Sequence, residues 1–413
     1  MVIRGGRKAV SGTLLLISMI SFATSASAAL RNAGALAFSP EGVLFIGDNA
    51  SGAIYAYAMA RGTAPTSTAA PLEVDNIGDR IADALGVPSN EVAINGMAVH
   101  PVTQDVYLSV SRGYGDGMLP AVVRVTPEGK LFNVDLQSMQ ATEFKIHGVP
   151  SDDKHFRNRS KDWPVPAAVK YDAKAQIPVR TLTIVDMKFH NGELYVSGIS
   201  NEEFASTLRR IPYPFTEKAI ETKIRMYHIA HTRFETRAPI RAMQFATIDG
   251  VDTLIAAYTC SPLVLIPVAS LRDGAKVTGK TIGDMGNGQP VSMFRVNVYG
   301  QDSLFVTNMG HGPRIIPLAG LNKATEYTPT NSPKGYPSDL SPEYPIGPVG
   351  KSVMFVGASL HADAVNDKFL VSLTRDAESG SLNLEALPVT PLPMKLDRIW
   401  SEFDFPGGGP NGS

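Results

Sequence analysis

The 413-residue chain carries 38 Lys or Arg against 39 Asp or Glu, a formal charge of -1, with 19% charged and 44% apolar residues. That balance is too apolar for a disordered chain and too neutral for a protein that lives on nucleic acid. The single cysteine, Cys260, excludes a disulfide scaffold, an iron–sulfur cluster and a zinc knuckle, and no CxxCH stretch exists to take c-type haem.

Residues 1–28 predict a signal peptide. Arg4, Arg7 and Lys8 precede the short apolar run from Thr13 to Phe22, and Ala26-Ser27-Ala28 supplies the small-x-small cleavage pattern. The run falls short of the roughly 20 residues of a membrane helix, and no later stretch approaches that length. The expectation is a periplasmic or otherwise secreted protein with no membrane span after processing. In an oxidising compartment the lone Cys260 is either buried and inert or put to use.

A repeated strand–turn–strand pattern fills the rest. Its copies are Leu36-Ala37-Phe38 with Val43 to Asn49, Met97 to His100 with Val106 to Val110, and Met187 to His190 with Leu194 to Gly198. Met243-Gln244-Phe245 with Leu254 to Tyr258 and Met293-Phe294-Arg295 with Leu304 to Asn308 continue it. A looser sixth copy pairs Val353 to Val356 with Phe369 to Leu373. Third strands follow several copies, at Ala53 to Tyr57, Ala121 to Val125 and Arg314 to Leu318. Val74 to Gly86, around Ile77 to Leu85, is the one helix-like patch, and the proline-rich stretch Tyr327 to Gly350 reads as a long loop. Such repeats satisfy their sheet edges by radial arrangement, so the predicted fold is an all-β β-propeller over residues 29–403. Six blades are visible, and a seventh could come from the termini or from residues 130–185. Residues 404–413 read as a disordered tail.

Leu304 to Asn308 followed by Arg314 to Leu318 resembles the YVTN-type propeller repeat. Leu44 to Asn49 with Ala53 to Tyr57 is similar to blades of NHL and gluconolactonase-like propellers. The resemblance covers the blade cores only. It implies the fold and transfers no catalytic residue, because the acid and amide calcium ligands of the gluconolactonase-like enzymes have no match here. Only Trp163 and Trp400 occur, so the repeated Trp docking of a quinoprotein dehydrogenase propeller is absent.

Propeller geometry converts the repeat into a site. Residues before each first strand and just after each second strand gather at one channel mouth, here called the top; the intervening turns lie at the bottom. His100, His190 and His361 fall at the bottom and read as packing or surface residues, while His147 and His155 sit in a polar insertion. His228, His231 and His311 fall at the top. His228 and His231 point to opposite faces if the strand runs straight, so both can ligate one ion only where the chain turns between them. Around the same mouth the register places Asp48-Asn49, Ser111-Arg112, Ser200 to Glu203, Thr259-Cys260 and Gly310-His311, with Asn95, Asp186 and Ser292 opening channel strands.

Three chemistries fit this ring. His231 and His311 with Glu235 or Cys260 suit copper, iron or zinc. His231 with Asp186 or Glu202 suits acid–base catalysis. Arg112, Arg237 and Arg241, with Asn95 and Asn201 nearby, offer donors for a carboxylate or phosphate ligand. The Gly-rich run Gly283 to Pro290 lacks a following helix and is a flexible loop, not a phosphate cradle. The Asn49, Asn158 and Asn411 acceptor patterns matter only in a host that glycosylates, and Lys154 to Lys161 is a solvated basic run. The leading expectation is an exported propeller enzyme, oxidoreductase or hydrolase, acting on a small molecule at this mouth. The rival is a non-catalytic periplasmic propeller that docks a protein partner or ligand.

Overall fold

The computed structural model describes residues 30–60, 62–65, 72–113, 118–154, 178–216, 218–286, 288–309, 311–333, 345–352, 358–376 and 379–389. The expected signal peptide and tail therefore lie outside the described residues, as do Val353 to Val356, His155, Asn158 and residues 334–344 of the proline-rich stretch.

Nearly all regular structure is antiparallel strand, gathered in six meandering units. Unit one comprises Leu36–Phe38, Val43–Asp48 and Ala53–Ala58, closed by Ala141–Lys145. Unit two is Val92–Val99, Val106–Arg112, Leu119–Val125 and Leu131–Asn133. Unit three is Asp186–His190, Glu193–Ile199, Ser206–Pro212 and Ile220–His228; Arg233–Glu235 adds a short extra strand. Unit four is Ala242–Ile248, Val251–Ala257, Pro262–Pro267 and Lys276–Asp284. Unit five is Pro290–Val298, Gln301–Asn308, Arg314–Pro317 and Lys351–Ser352. Unit six is Ala358–Ala364, Phe369–Arg375 and Leu382–Pro388, closed by Glu73–Val74. Four of these are separate sheets. Units three and four share one nine-stranded sheet, because their outer strands pair in parallel from Lys223 with Lys276 to Met226 with Gly279.

The first strands touch one another in a closed ring: unit one against three, then four, five, six, two and back to one. Each junction buries its own apolar cluster. Phe45 and Ile54 meet Leu194 and Val196 between units one and three; Leu254 and Val264 meet Leu208 and Met226 between three and four. Leu263 and Leu304 join four to five, Phe305 and Leu370 join five to six, Leu108 and Leu373 join six to two, and Tyr107 and Tyr55 join two to one. At about 1.5–3 kcal/mol for each fully buried large apolar side chain, these seams hold the ring. The arrangement is propeller-like and all-β.

The units are not threaded in order. After its third strand the chain leaves unit one, lends Glu73–Val74 to unit six, forms the helix Ile77–Leu85 and builds unit two. It then returns Ala141–Lys145 to the edge of unit one before passing to unit three. Two of the short strands between residues 130 and 185 thus complete existing units, and the described residues hold no seventh. The sixth repeat also differs from expectation: its first strand is Ala358–Ala364, so His361 lies on a channel strand and not in a bottom turn.

Polar side chains tie neighbouring units together. Ser109 Oγ donates to Gly34 O (2.6 Å), Ser197 Oγ to Ile240 O (3.0 Å) and Thr307 Oγ1 to Leu360 O (3.2 Å). Gly198 permits the closest approach: a Cβ there would stand 1.9 Å from Thr183 O.

Candidate metal centre at the rim

The top end of the seam between units three and four carries the densest chemistry. The strand Ile220–His228 ends at His228, turns through residues 229–232 with Thr232 at φ 50°, and returns as Arg233–Glu235. Pairing of Tyr227 with Phe234 and His228 with Arg233 makes this a hairpin. The chain therefore turns between the two histidines, and their rings come to 4.0 Å, centroid to centroid. Sequence spacing alone assigned them to opposite faces. The overlooked signal was the pair of short alternating triplets, Met226-Tyr227-His228 and Arg233-Phe234-Glu235, flanking four residues.

Glu235 anchors both imidazoles. Its Oε1 lies 2.6 Å from His231 Nδ1, 3.4 Å from His228 Nδ1 and 3.2 Å from Arg233 Nε. The His228 contact, and with it the shorter His231 bond, holds this carboxyl down to about 2. His228 is buried, which lowers its own affinity for a proton, and its Nε2 is buried with no hydrogen-bond partner. His231 keeps 36% of its side chain exposed.

The third donor arrives from unit four. Cys260 occupies the turn between Val251–Ala257 and Pro262–Pro267, with φ 61°, and Ser261 follows at φ 63°. Two successive left-handed residues suit Asn-Gly; a Cys-Ser pair there stores strain, on the order of 1–3 kcal/mol per residue. The turn is fastened to the loop after unit four: Cys260 N donates to Gly288 O and Met285 N to Ser261 O. Burial, then the nearby Asp284 and Glu235 charges, push the thiol pKa up.

One nitrogen from each imidazole and the Cys260 sulfur lie within 4.8 Å of one another, the one such group among the described residues. Tetrahedral ligands around zinc stand about 3.3–3.8 Å apart, so closure requires shifts of about 1 Å. The donor set fits an ion. Both Nδ1 atoms face Glu235, so an ion would be held through Nε2, with Glu235 as the outer carboxylate that fixes each ring.

The remaining candidates fall elsewhere. His311 belongs to the turn of unit five; its Nδ1 lies 2.7 Å from Gly312 O, and its electrostatic neighbour is Arg314, itself coupled to the buried Asp284. His228 takes the place expected for His311, because the hairpin folds it back and His311 sits on the next unit. Asp186 lies inside the channel, its oxygens accepting Met187 N–H and Met243 N–H. Glu202 pairs with Lys223 (3.0 Å), and Asn201 accepts from Lys154. The carboxylate that reaches His231 is Glu235, not Asp186 or Glu202. Arg237 meets Glu203, Arg112 donates to Leu85 O, and Asn95 donates to Ala33 O and Ser111 Oγ. Arg241 reaches Gln289 at 3.5 Å while its buried Nε has no partner. Asp48 caps its own turn through Ser51, and Asn49 braces Ile184. On the bottom, His100 packs on Phe38, and His190 stacks on Phe245 and binds Asp252.

No protein-family model matches the chain, and no curated protein is similar to it in sequence. Among solved structures it is similar to the extracellular region of plexin A4 (12% identity, 87% of this chain and 39% of that chain, TM-score 0.36). The chain thus spans well under half of that region. It is also similar to the PQQ-bound aldose sugar dehydrogenase of Streptomyces coelicolor (12% identity, 87% and 95% covered, TM-score 0.30). A luciferin-regenerating enzyme matches at 8% identity, with 87% and 92% covered and a TM-score of 0.33. These neighbours include enzymes and non-enzymes, and the fold assignment rests on the closed ring of inner strands.

Proposed function

We propose that the chain is an exported six-bladed propeller enzyme that carries a transition-metal ion at its top rim and acts there on a small molecule. The carrying observation is the convergence of His228, His231 and Cys260 within 4.8 Å, the thiol on a strained turn and both imidazoles on a hairpin that shares the Glu235 carboxylate. Two imidazoles and a thiolate suit copper or zinc best. Three protein ligands leave a coordination position open, as in catalytic sites, and the exposed side of His231 is where substrate would enter. A bound ion would supply Lewis-acid or redox chemistry. His228 stays buried and fixed, and Glu235 holds both rings. No helix among the described residues is long and apolar enough to cross a membrane. Export rests on residues 1–28.

Metal analysis of the purified protein tests the reading. One equivalent of copper or zinc is expected, and cobalt(II) loading should give a thiolate charge-transfer band that Cys260→Ser removes. Absence of stoichiometric metal binding, or binding unchanged in both Cys260→Ser and His228→Ala, would overturn it.

A further inference from the structure

The channel itself encloses a cavity of about 350 Å³, within the size range of small-molecule sites. Residues from all six units line it, among them Asn95, Asp186, Lys188, Gln244, His361 and Asp363. Its two carboxylates are held by the backbone. Asp186 accepts Met187 N–H (2.9 Å) and Met243 N–H (2.8 Å); Asp363 accepts Ala364 N–H (2.9 Å) and Val99 N–H (3.1 Å). Each of these bonds uses one acceptor position of an oxygen that has two. The other positions remain for the cavity, on groups whose orientation is already fixed.

Charge in the lining is unbalanced. Lys188 is the one cation whose field acts on both Asp186 and Asp363. His361 is neutral, since burial drops it to about 4. Arg241 acts on Asp186 from above and lies outside the lining. One ammonium therefore faces two carboxylates. From these observations we infer that the channel is a second binding site, for a small organic ammonium ion gripped by Asp186 and Asp363.

The chemistry excludes the simpler cation. Calcium asks for six to eight oxygens, and the Lys188 ammonium would stand against a divalent ion. A cavity of about 350 Å³ also exceeds any bare ion and needs an organic body, for which Leu36, Met97 and Phe189 supply apolar wall. Burial raises the Asp186 carboxyl to about 6 even against the lowering field of Lys188 and the two backbone N–H donors, with a last, smaller push from Asp363.

The test is calorimetric titration of the full chain with n-butylammonium, with sodium butyrate and calcium chloride as controls. One saturable site for butylammonium is expected. Affinity should fall as pH is lowered through about 6, where Asp186 takes a proton; burial raises Asp363 as well, so it adds to the fall, while His361 is still neutral there. Asp363→Asn should weaken binding about tenfold or more, the worth of a charged hydrogen bond. Lys188→Met, which touches no backbone brace, should tighten it several-fold and keeps the test readable if Asp363→Asn folds poorly. No saturable ammonium binding, preference for calcium or butyrate, or indifference to both substitutions would overturn the inference. Cys260→Ser should leave this binding unchanged, so the two sites are judged separately.

Discussion

The rim and the channel lie a few residues apart on the same units, yet they use polar groups in opposite ways. In the channel, polar side chains bond the backbone of the next unit: Asp186 takes Met243 N–H, Ser292 takes Ala362 N–H, Asp363 takes Val99 N–H, and Asn95 gives to Ala33 O. Those bonds close the ring. At the rim, by contrast, His228 Nε2, Asp284 Oδ2 and Arg314 Nε are buried without partners. Each idle buried group costs about 1–3 kcal/mol, which a chain sustains where something else takes the group up. On the proposed reading, channel residues serve the fold first and a ligand second, whereas rim residues serve a ligand first.

The sharpest way to break that contrast is to remove a rim donor. Cys260→Ser should take bound copper or zinc from one equivalent to near none by elemental analysis. Metal-free stability should shift by less than about 1 kcal/mol, since no ring bond is lost. A large loss of metal-free stability would place Cys260 among the residues that hold the fold.

Next in size is the converse change. Asp363→Ala leaves Val99 and Ala364 N–H groups without their acceptor, and urea unfolding should show a loss of roughly 2–4 kcal/mol. Metal content should stay at one equivalent. A smaller effect follows from Glu235→Gln, which keeps the rim ligands and weakens their orientation. Metal affinity should drop 10–100-fold, the range for outer partners of ligating histidines. If affinity holds, Glu235 does not orient the pair.

Much of the ring was legible in the residues, because blade cores such as Val43 to Asp48 and Leu304 to Asn308 are continuous apolar runs ended by turns. The out-of-order threading was not. It depends on Glu73–Val74, a two-residue edge strand with no periodicity to read. The sixth unit slipped because Val353 to Val356 is the more apolar run, while the true strand, Ala358–Ala364, carries the polar channel groups His361 and Asp363. At the rim, register brought His231, Glu235 and Cys260 to one mouth. His228 escaped because a period-two argument assumes a straight strand, and Ile229 to Thr232 contains none of the usual turn residues.

The finest test of the comparison is pH dependence, because the channel groups titrate against one another. Burial raises Asp186 to about 6 and also raises Asp363, whereas burial lowers His361 to about 4. For the carboxyls the folded pKa lies above the unfolded 3.8, so stability falls as pH climbs from about 4 to 6. For His361 the folded pKa lies below the unfolded 6.5, so its contribution is intact above that value and is lost as pH falls toward 4. The two slopes oppose, and because burial also raises Asp284 and lowers His100, His228 and His311 elsewhere in the protein, each channel group is read from the difference between a variant and the wild type. His361→Asn removes one arm, and stability relative to the wild type should then fall as pH rises across that window. Asp186→Asn tilts the profile the other way. Parallel profiles for all three proteins would mean that the channel groups do not sense burial, and the reading of the channel as a desolvated, fold-closing ring would fail with them.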